Sequence, residues 1–183
     1  LDSAKVNRLT WMNQSLMPID QLKTNVLSMK LKGNHLEKKD LAILDLIVNS
    51  NWSRPLYFNN TSLNAFNLDI KQHIIQEGLT YRLAPIRNPG NNKLVNTSLM
   101  HDNIVNKFKY RGLDDANVYY TEDYRNFVLN HRSAFNTLAT NYLNQGEIEL
   151  AKDVLLKGLE YMPDEGVNYD IFSIQQVSLL LAC

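Results

Sequence analysis

Apolar residues recur at different spacings in the two halves of the chain. Before about residue 87, short apolar runs such as Leu56–Phe58 and Leu79–Ile86 are bounded by proline, glycine and asparagine, which predicts strands. One segment between them, Leu36 to Ser50, carries apolar residues at helical spacing and predicts a helix. In the second half helical spacing dominates, and it predicts helices over 99–109, 124–142, 148–162 and 170–183.

Three shorter segments complete the expected first half. Asn25 to Lys32 alternates apolar and polar residues and predicts a strand. Asn59 to Asn67 is rich in polar residues and predicts a loop, and Ile70 to Gln76 predicts one or two helical turns. On the helix Leu36 to Ser50, the apolar residues expected to share one inward face are Leu36, Leu41, Leu44, Ile47 and Val48. Strands first and helices afterwards predict an α+β fold.

Residues 131–163 carry the clearest pattern in the chain. Two helical faces are separated by Asn144-Gln145-Gly146, and small residues stand where two helices would touch. The order of aromatic, leucine, small and proline positions resembles the tetratricopeptide repeat, a helical hairpin of roughly 34 residues. It departs from that repeat at Phe135, where tryptophan is usual, and at Gly158, where alanine is usual. The matching positions are Phe135, Leu138, Ala139, Tyr142, Ala151, Leu155, Gly158 and Pro163.

The segment 168–183 resembles the start of a second repeat. Its helix is apolar on nearly all sides, so that one face can pack on Leu155, Leu159 and Met162 while another needs a further partner. We expect either that the natural chain continues with that partner or that residues 171–183 mediate self-association. These patterns predict a small mixed α/β unit over 1–95 and a helical, tetratricopeptide-like region over 96–183.

Composition limits the function classes. The chain has 183 residues, of which 44% are hydrophobic and 21% are charged, so a packed core is expected. Nineteen basic and nineteen acidic residues balance, which argues against binding to nucleic acid or to an anionic membrane surface. No apolar run is long enough to span a bilayer. The four histidines lack zinc-ligand spacing and the glycines form no phosphate loop, so we expect no metal, no cofactor and no catalytic residue.

Two clusters of polar and aromatic residues stand out against this background. The first, N-W-x-R-P-x-Y-F from Asn51 to Phe58, places an arginine at a strand entrance, where it can hold a carboxylate or phosphate. The second, E-G-L-x-Y-R-L from Glu77 to Leu83, places an arginine beside a sharp turn at Gly78. The ligand-binding hypothesis centres on Arg54, Tyr57, Glu77 and Arg82.

The alternative hypothesis for both clusters is structural. Trp52 and Phe58 would then fill the core, while Arg54 would pair with Asp45 or Glu77 to fix the junction between helix and strand. The residues assigned to this structural role are Asp45, Asn51, Trp52, Pro55, Phe58, Gly78 and Tyr81.

The two clusters in this order, N-W-x-R-P-x-Y-F and then Q-E-G-L-x-Y-R-L-x-P, resemble the soluble carboxy-terminal region of a large bacterial family of multi-pass membrane proteins. That uncharacterised family resembles the GT-C glycosyltransferases and is related to an animal protein O-mannosyltransferase with tetratricopeptide repeats. The resemblance extends over about Lys23 to Asp170. It implies a tail tethered to a membrane enzyme on the extracytoplasmic, or periplasmic, side, and it transfers no catalytic residue, because the catalytic site of the class lies in the membrane domain.

Three functional hypotheses are consistent with these patterns. The first is a non-catalytic accessory module of a membrane-bound GT-C-like glycosyltransferase, which binds an acceptor protein or partner through the helical repeat. The second is a small-ligand-binding or enzymatic α+β unit, for which a deep polar pocket with convergent Arg54 and Arg82 would be evidence. The third is a structural domain that stabilises or oligomerises the membrane part. A bare concave helical face would favour the first.

Overall fold

A computed structural model describes residues 24–50, 52, 54–88, 90 and 93–183. The chain forms two compact units, residues 1–96 and 97–183. Short strands and helices alternate in the first unit, and the second unit is helical, so the predicted α+β class is confirmed. No helix among the described residues is long and apolar enough to cross a membrane.

Two small sheets organise the first unit. Strands β1 (Lys30–Leu31) and β3 (Leu68–Asp69) pair antiparallel. The second sheet consists of β2 (Leu56–Asn59), β4 (Ile74–Gln76), β5 (Thr80–Leu83) and β6 (Leu94–Val95). Their order across the sheet is β2-β5-β4-β6. The β2–β5 and β5–β4 pairs are antiparallel, and the β4–β6 pair is parallel.

The predicted strands at Leu56–Phe58 and Leu79–Ile86 are present as β2 and β5, with shifted ends. Only Lys30–Leu31 of the strand expected over 25–32 forms, and β6 was missed. The turn from β4 to β5 is tight: the Glu77 N–H donates to the Thr80 carbonyl at 3.0 Å, and Gly78 has a φ of 127°. A side chain would be strained at this φ, which accounts for the glycine.

Helix α2 (Asn60–Ala65) replaces the polar loop that the composition of 59–67 predicted, so that prediction was wrong. Asn59 caps the helix: its side-chain oxygen accepts a hydrogen bond from the Ser62 N–H at 2.7 Å. The segment Ile70–Gln76 was predicted as helical turns, yet only Lys71–His73 forms a short 3₁₀ helix before β4 begins.

Helix α1 (Lys38–Asn49) agrees with the prediction in position but not in its buried face. Ile47 is buried as expected, whereas Leu41 and Val48 are exposed. Asp40 is buried instead, and its carboxylate accepts hydrogen bonds from the backbone N–H groups of Glu37 (2.8 Å) and Asn67 (2.9 Å). The inward-facing Asp40 therefore links the helix by a hydrogen bond to Asn67, in the segment before β3.

The apolar core of the first unit lies under one face of the larger sheet. Trp52 and Phe58 are both buried in it, as predicted. Trp52 adopts a φ of 58°, in the left-handed region that residues with a Cβ rarely occupy. The rest of this core comprises Ile47, Leu63, Leu68, Ile70, Ile74, Tyr81 and Leu83.

Three helices form most of the second unit: α4 (Glu122–Gln145), α5 (Ile148–Tyr161) and α6 (Ile171–Leu180). They are preceded by α3 (Thr97–His101), which continues into a π-helical segment, Asp102–Lys107. The single helix predicted over 99–109 is thus divided into two hydrogen-bonding patterns. Its expected inward residues Met100, Ile104 and Val105 are buried, while Phe108 is half-buried.

Helices α4 and α5 are joined by a two-residue connection at Gly146. This residue has a φ of 80°, and its N–H donates to the Leu143 carbonyl at 3.0 Å while Glu147 N–H donates to Tyr142. A left-handed glycine at this position is a common way to end a helix. The structure buries seven of the eight residues that the repeat pattern singled out and leaves Pro163 half-buried: Phe135, Leu138, Ala139, Tyr142, Ala151, Leu155 and Gly158 are the buried ones.

Candidate functional site

Three of the four residues in the ligand-binding hypothesis lie together beside the larger sheet. Tyr57 on β2 stands opposite Arg82 on β5, and Glu77 follows β4. The Tyr57 hydroxyl donates to Glu77 Oε2 at 2.7 Å, and Arg82 Nε lies 2.9 Å from both the Tyr57 oxygen and Glu77 Oε2. A second guanidinium nitrogen of Arg82 also donates to the Tyr57 oxygen. Asn96 Nδ2 approaches the other carboxylate oxygen of Glu77 at 3.4 Å.

This cluster is closed on one side and open on the other. The Glu77 side chain is buried and that of Arg82 is nearly so, whereas Tyr57 is 43% exposed. Burial, followed by the hydrogen bond to Glu77, raises the pKa of Tyr57 above its ordinary value. The phenol therefore stays protonated at neutral pH and acts as a donor. Because Glu77 and Arg82 already pair, the guanidinium has its charge compensated before any ligand arrives.

Arg54 does not join these three residues. It is exposed, and it makes no ion pair or hydrogen bond with the part of the chain that the structure describes. The ion pair proposed from Arg54 to Asp45 or Glu77 is replaced by the pair between Arg82 and Glu77, and Asp45 accepts a hydrogen bond from Asn49 at 2.8 Å. Pro55 is exposed, and Asn51 lies outside the described residues. Tyr81 faces the core, opposite to Arg82, as strand alternation requires.

A second polar centre, which the sequence did not reveal, lies inside the helical unit. The Arg132 side chain, only 1% exposed, projects from α4. Its nitrogens donate to the carbonyls of Met162 (3.0 Å), Val167 (2.6 Å) and Asn168 (2.9 Å) and to Asp170 Oδ2 (2.6 Å). Arg132 thereby fixes the connection from α5 to α6, since most of its partners belong to that connection.

Asp170 links this centre to α6. While Oδ2 pairs with Arg132, Oδ1 accepts from the backbone N–H groups of Phe172 (2.7 Å) and Ser173 (3.2 Å), which caps the helix. Further along, Asn136 on α4 donates to the Phe172 carbonyl at 2.8 Å. The start of α6 is therefore held by a chain of charged and polar contacts.

Polar contacts also hold the inner face of α6 further along the helix. Gln176 Nε2 donates to the Leu155 carbonyl on α5 at 2.8 Å, and it occupies the space beside Gly158. A Cβ at position 158 would lie 2.1 Å from that nitrogen and 3.1 Å from the Phe135 ring. This explains why the repeat pattern carries glycine there instead of alanine. The fully buried residues of α6 are the polar Ser173 and Gln176, while the apolar Phe172, Leu179 and Leu180 are half-buried.

Four apolar residues in and just after α6 point outward, while Phe172, Leu179 and Leu180 are half-buried. Ile171 is 70% exposed and Leu181, just after the helix, is 86% exposed. Ile174 and Val177 are exposed between them, and the spacing of three or four residues places all four on one side. We call this surface the α6 stripe: Ile171, Ile174, Val177 and Leu181. No charged residue occurs from Ile171 to the end of the sequence. The sequence pattern predicted an apolar face in this segment that needs a further partner.

Potential metal-ligating side chains are dispersed over the described part of the chain. No group of three or more histidine, cysteine, aspartate and glutamate side chains is placed to hold a metal ion there. Cys183 is an exposed free thiol. The described polar clusters offer hydrogen bonding: a part-exposed phenol at Tyr57 and a guanidinium at Arg132 that donates four hydrogen bonds within the chain.

Comparison with known proteins bears on the first unit above all. A family model described as TMEM260-associated domain 2 matches residues 1–103, more than half of the chain. Both motif strings behind the resemblance, Asn51–Phe58 and Gln76–Pro85, lie within that range. Searches among curated proteins and among solved structures give no match. The chain belongs to the TMEM260-associated domain 2 family.

Proposed function

We propose that this chain is a non-catalytic accessory module of a TMEM260-type membrane protein, and that its helical unit binds an acceptor or partner protein. The observation that carries the proposal is the α6 stripe, an apolar surface held outward by polar contacts on its inner side. Aligned apolar residues on an otherwise polar surface are typical of protein interaction sites. The family match supports the link to a membrane protein.

The chemistry of the stripe favours an apolar protein partner. With no charge from Ile171 to the end of the sequence, affinity would have to come from burial of aliphatic side chains. An amphipathic helix that presents leucine or isoleucine at a matching spacing fits such a surface. The proposed tether to a GT-C-like transferase on the extracytoplasmic side, and a bacterial source, rest on the sequence resemblance.

Site-specific photo-crosslinking tests this function. A benzophenone amino acid at Ile174 places the probe in the stripe, and the same amino acid at Lys152, an exposed position on α5, provides the matched control. In intact cells we expect a distinct protein adduct from position 174 and not from position 152. The adduct should disappear when Val177 is changed to Glu.

Two outcomes would overturn the proposal. Equal labelling from positions 174 and 152 would mean that the stripe has no specific partner. An adduct consisting only of a second copy of this chain, together with a dimer in light scattering, would replace partner binding by oligomerisation through residues 171–183.

The proposal also holds that the chain itself transfers no sugar and hydrolyses no glycoside. Purified chain is incubated with lipid-linked or nucleotide-linked sugars, and no turnover is expected. Turnover that is lost on Glu77→Gln or Arg54→Ala would refute this part and favour an enzymatic α+β unit.

The second candidate function is ligand binding by the α+β unit, and one observation favours it. Tyr57 presents a part-exposed phenol beside the buried pair of Glu77 and Arg82. A neutral hydrogen-bonding ligand fits this group better than an anion, since the guanidinium already pairs with a carboxylate and Arg54 is not part of the cluster.

A further inference from the structure

A cavity of about 440 Å³ opens on the first unit, on the side of the sheet opposite to Tyr57 and Arg82. Residues of α2, β3, the 3₁₀ turn, β4, β5 and the entry to β6 line it. Its volume lies in the range of small-molecule sites. Neither the cluster of Tyr57, Glu77 and Arg82 nor the α6 stripe contributes a residue to it, so the cavity is a separate candidate site.

Tyr81 is the first sign that the cavity is more than a surface depression. Its side chain is 7% exposed and lines the cavity, with Lys93 Nζ 5.8 Å from the ring centroid. Within the described part of the chain, no group forms a hydrogen bond with its hydroxyl. Burial raises the pKa of Tyr81, so the hydroxyl remains a donor at neutral pH. The Tyr81 hydroxyl is therefore available as a hydrogen-bond donor to a ligand in the cavity.

Side-chain amides are the second sign. Asn60 and Gln72 line the cavity, and neither amide is used in a hydrogen bond to another described residue. Asn64 donates one hydrogen bond to the Asn60 carbonyl at 3.2 Å, which leaves its side-chain oxygen available. An amide both donates and accepts, as does a hydroxyl group of a sugar, so neighbouring amides match neighbouring hydroxyls.

The remaining lining narrows the ligand class. Leu63 and Ile74 provide an apolar surface for the C–H groups of a pyranose ring. Two lysines, Lys71 and Lys93, stand against one carboxylate, Asp69, so the lining carries a single excess positive charge. A cavity with this net charge can bind a neutral ligand or one that carries a single negative charge. A polyanion would require more cations than the cavity supplies.

We propose that this cavity binds a saccharide of one or two pyranose units, held by the amides of Asn60, Asn64 and Gln72 and by the Tyr81 hydroxyl. Among the described residues, the Asn60 and Gln72 side chains make no hydrogen bond and the Asn64 side chain makes one, so all three keep polar atoms for a ligand. The lysines tolerate a uronic acid without demanding one.

The test begins with a glycan array of hexose, N-acetylhexosamine and uronic acid oligosaccharides, probed with the purified chain. The glycan with the strongest signal is then titrated by calorimetry. Tyr81→Phe keeps the ring and removes only the hydroxyl, and Gln72→Leu removes one amide. Each is expected to weaken binding about tenfold, the effect of one lost hydrogen bond to a neutral ligand.

Controls separate binding from folding. Asn130→Leu replaces an exposed amide on α4, outside the cavity, and should leave the affinity unchanged. Thermal unfolding midpoints of Gln72→Leu and Asn130→Leu should equal that of the parent chain. The proposal is overturned if no glycan on the array binds the parent chain more tightly than it binds the double variant Gln72→Leu, Tyr81→Phe. It is also overturned if inorganic phosphate or an unglycosylated peptide occupies the cavity and no glycan competes.

Discussion

Each unit contains a buried charged side chain, and the two differ in the kind of group that forms hydrogen bonds with it. In the helical unit, Arg132 is enclosed and donates to three backbone carbonyls and to Asp170. In the α+β unit, Glu77 is enclosed, but its partners are the side chains of Tyr57, Arg82 and Asn96, one of which reaches the surface. Backbone partners fix a loop in place, whereas side-chain partners at a surface can rearrange. The first arrangement is therefore structural, and the second leaves a group available for binding.

The largest effect is expected from removing the enclosed cation. Arg132→Ala should destabilise the helical unit by roughly 3–5 kcal/mol, as loss of one partner of a buried ion pair does, because Asp170 and three carbonyls lose their donor. Denaturant unfolding measures the free energy, and hydrogen exchange of residues 162–180 locates the loss. Protection of that segment at the level of the unchanged chain would contradict the assigned role.

The stability of the α+β unit should depend most on its apolar core. Trp52→Ala is expected to cost roughly 3–5 kcal/mol, as truncation of large buried aromatic residues does. An unchanged denaturant midpoint with an unchanged m value would show that Trp52 is not part of the core.

The φ of 58° at Trp52 supplies a control for this loss. Glycine normally destabilises a protein relative to alanine, yet in the left-handed region it avoids the steric cost of a Cβ. Trp52→Gly should therefore be no less stable than Trp52→Ala. A Gly variant that is clearly less stable than the Ala variant would argue against this backbone conformation.

A smaller effect is expected where α5 meets α6. Gly158→Ala places a Cβ against Gln176 and the Phe135 ring, and it should cost about 1–3 kcal/mol, as overpacking does. Combining it with Gln176→Ala should recover part of the loss, and a double-mutant cycle measures that coupling. Strictly additive losses would mean that the two residues do not compete for space.

The exposed partner of Glu77 should matter least to stability. Tyr57→Phe removes one hydrogen bond at a part-exposed site, for which we expect a loss of about 0.5–1.5 kcal/mol. Glu77 keeps Arg82 and Asn96. A loss as large as that of Arg132→Ala would abolish the distinction between the two buried charges.

A pH titration should reveal the contribution of a partly enclosed histidine to the stability of the helical unit. His101, in the helical unit, contacts the Tyr142 hydroxyl at 3.1 Å, and burial lowers its pKa below the ordinary 6.5. The unfolded chain therefore takes up a proton at a higher pH than the folded one. The contribution of His101 to stability is complete above pH 6.5 and is lost as the pH falls through the folded pKa. His101→Asn should reduce this dependence, as followed by unfolding midpoints between about pH 7 and 5.

Local pattern was enough to predict much of the fold. The buried strand Leu56–Phe58 and the inward positions of the helical hairpin could be predicted because each depends on spacing within a few residues. Helix α2 was missed since its polar composition concealed the cap at Asn59. The inner face of α1 was misassigned because the partner of Asp40, Asn67, lies far along the chain.

The candidate sites depended on longer-range partners. Arg132 sits within a helical pattern, where an arginine usually faces solvent, and its partners are thirty or more residues away. The grouping of Tyr57, Glu77 and Arg82 was predicted from motif strings, yet the absence of Arg54 from it depends on strand register. The cavity beside Tyr81 is lined by residues from six helices and strands, which no local pattern brings together.

The inner face of α6 has a consequence for the energy landscape. A rotation of this helix by half a turn would bury the α6 stripe and release Gln176 and Ser173 to water, although it would also expose the half-buried Leu179 and Leu180. The hydrogen bonds from Gln176 to Leu155 and from Asn136 to Phe172, with the cap at Asp170, hold the opposite orientation. Burial of the stripe and these hydrogen bonds thus conflict in this helix, and such frustration is common where natural sequences depart from foldability for a function.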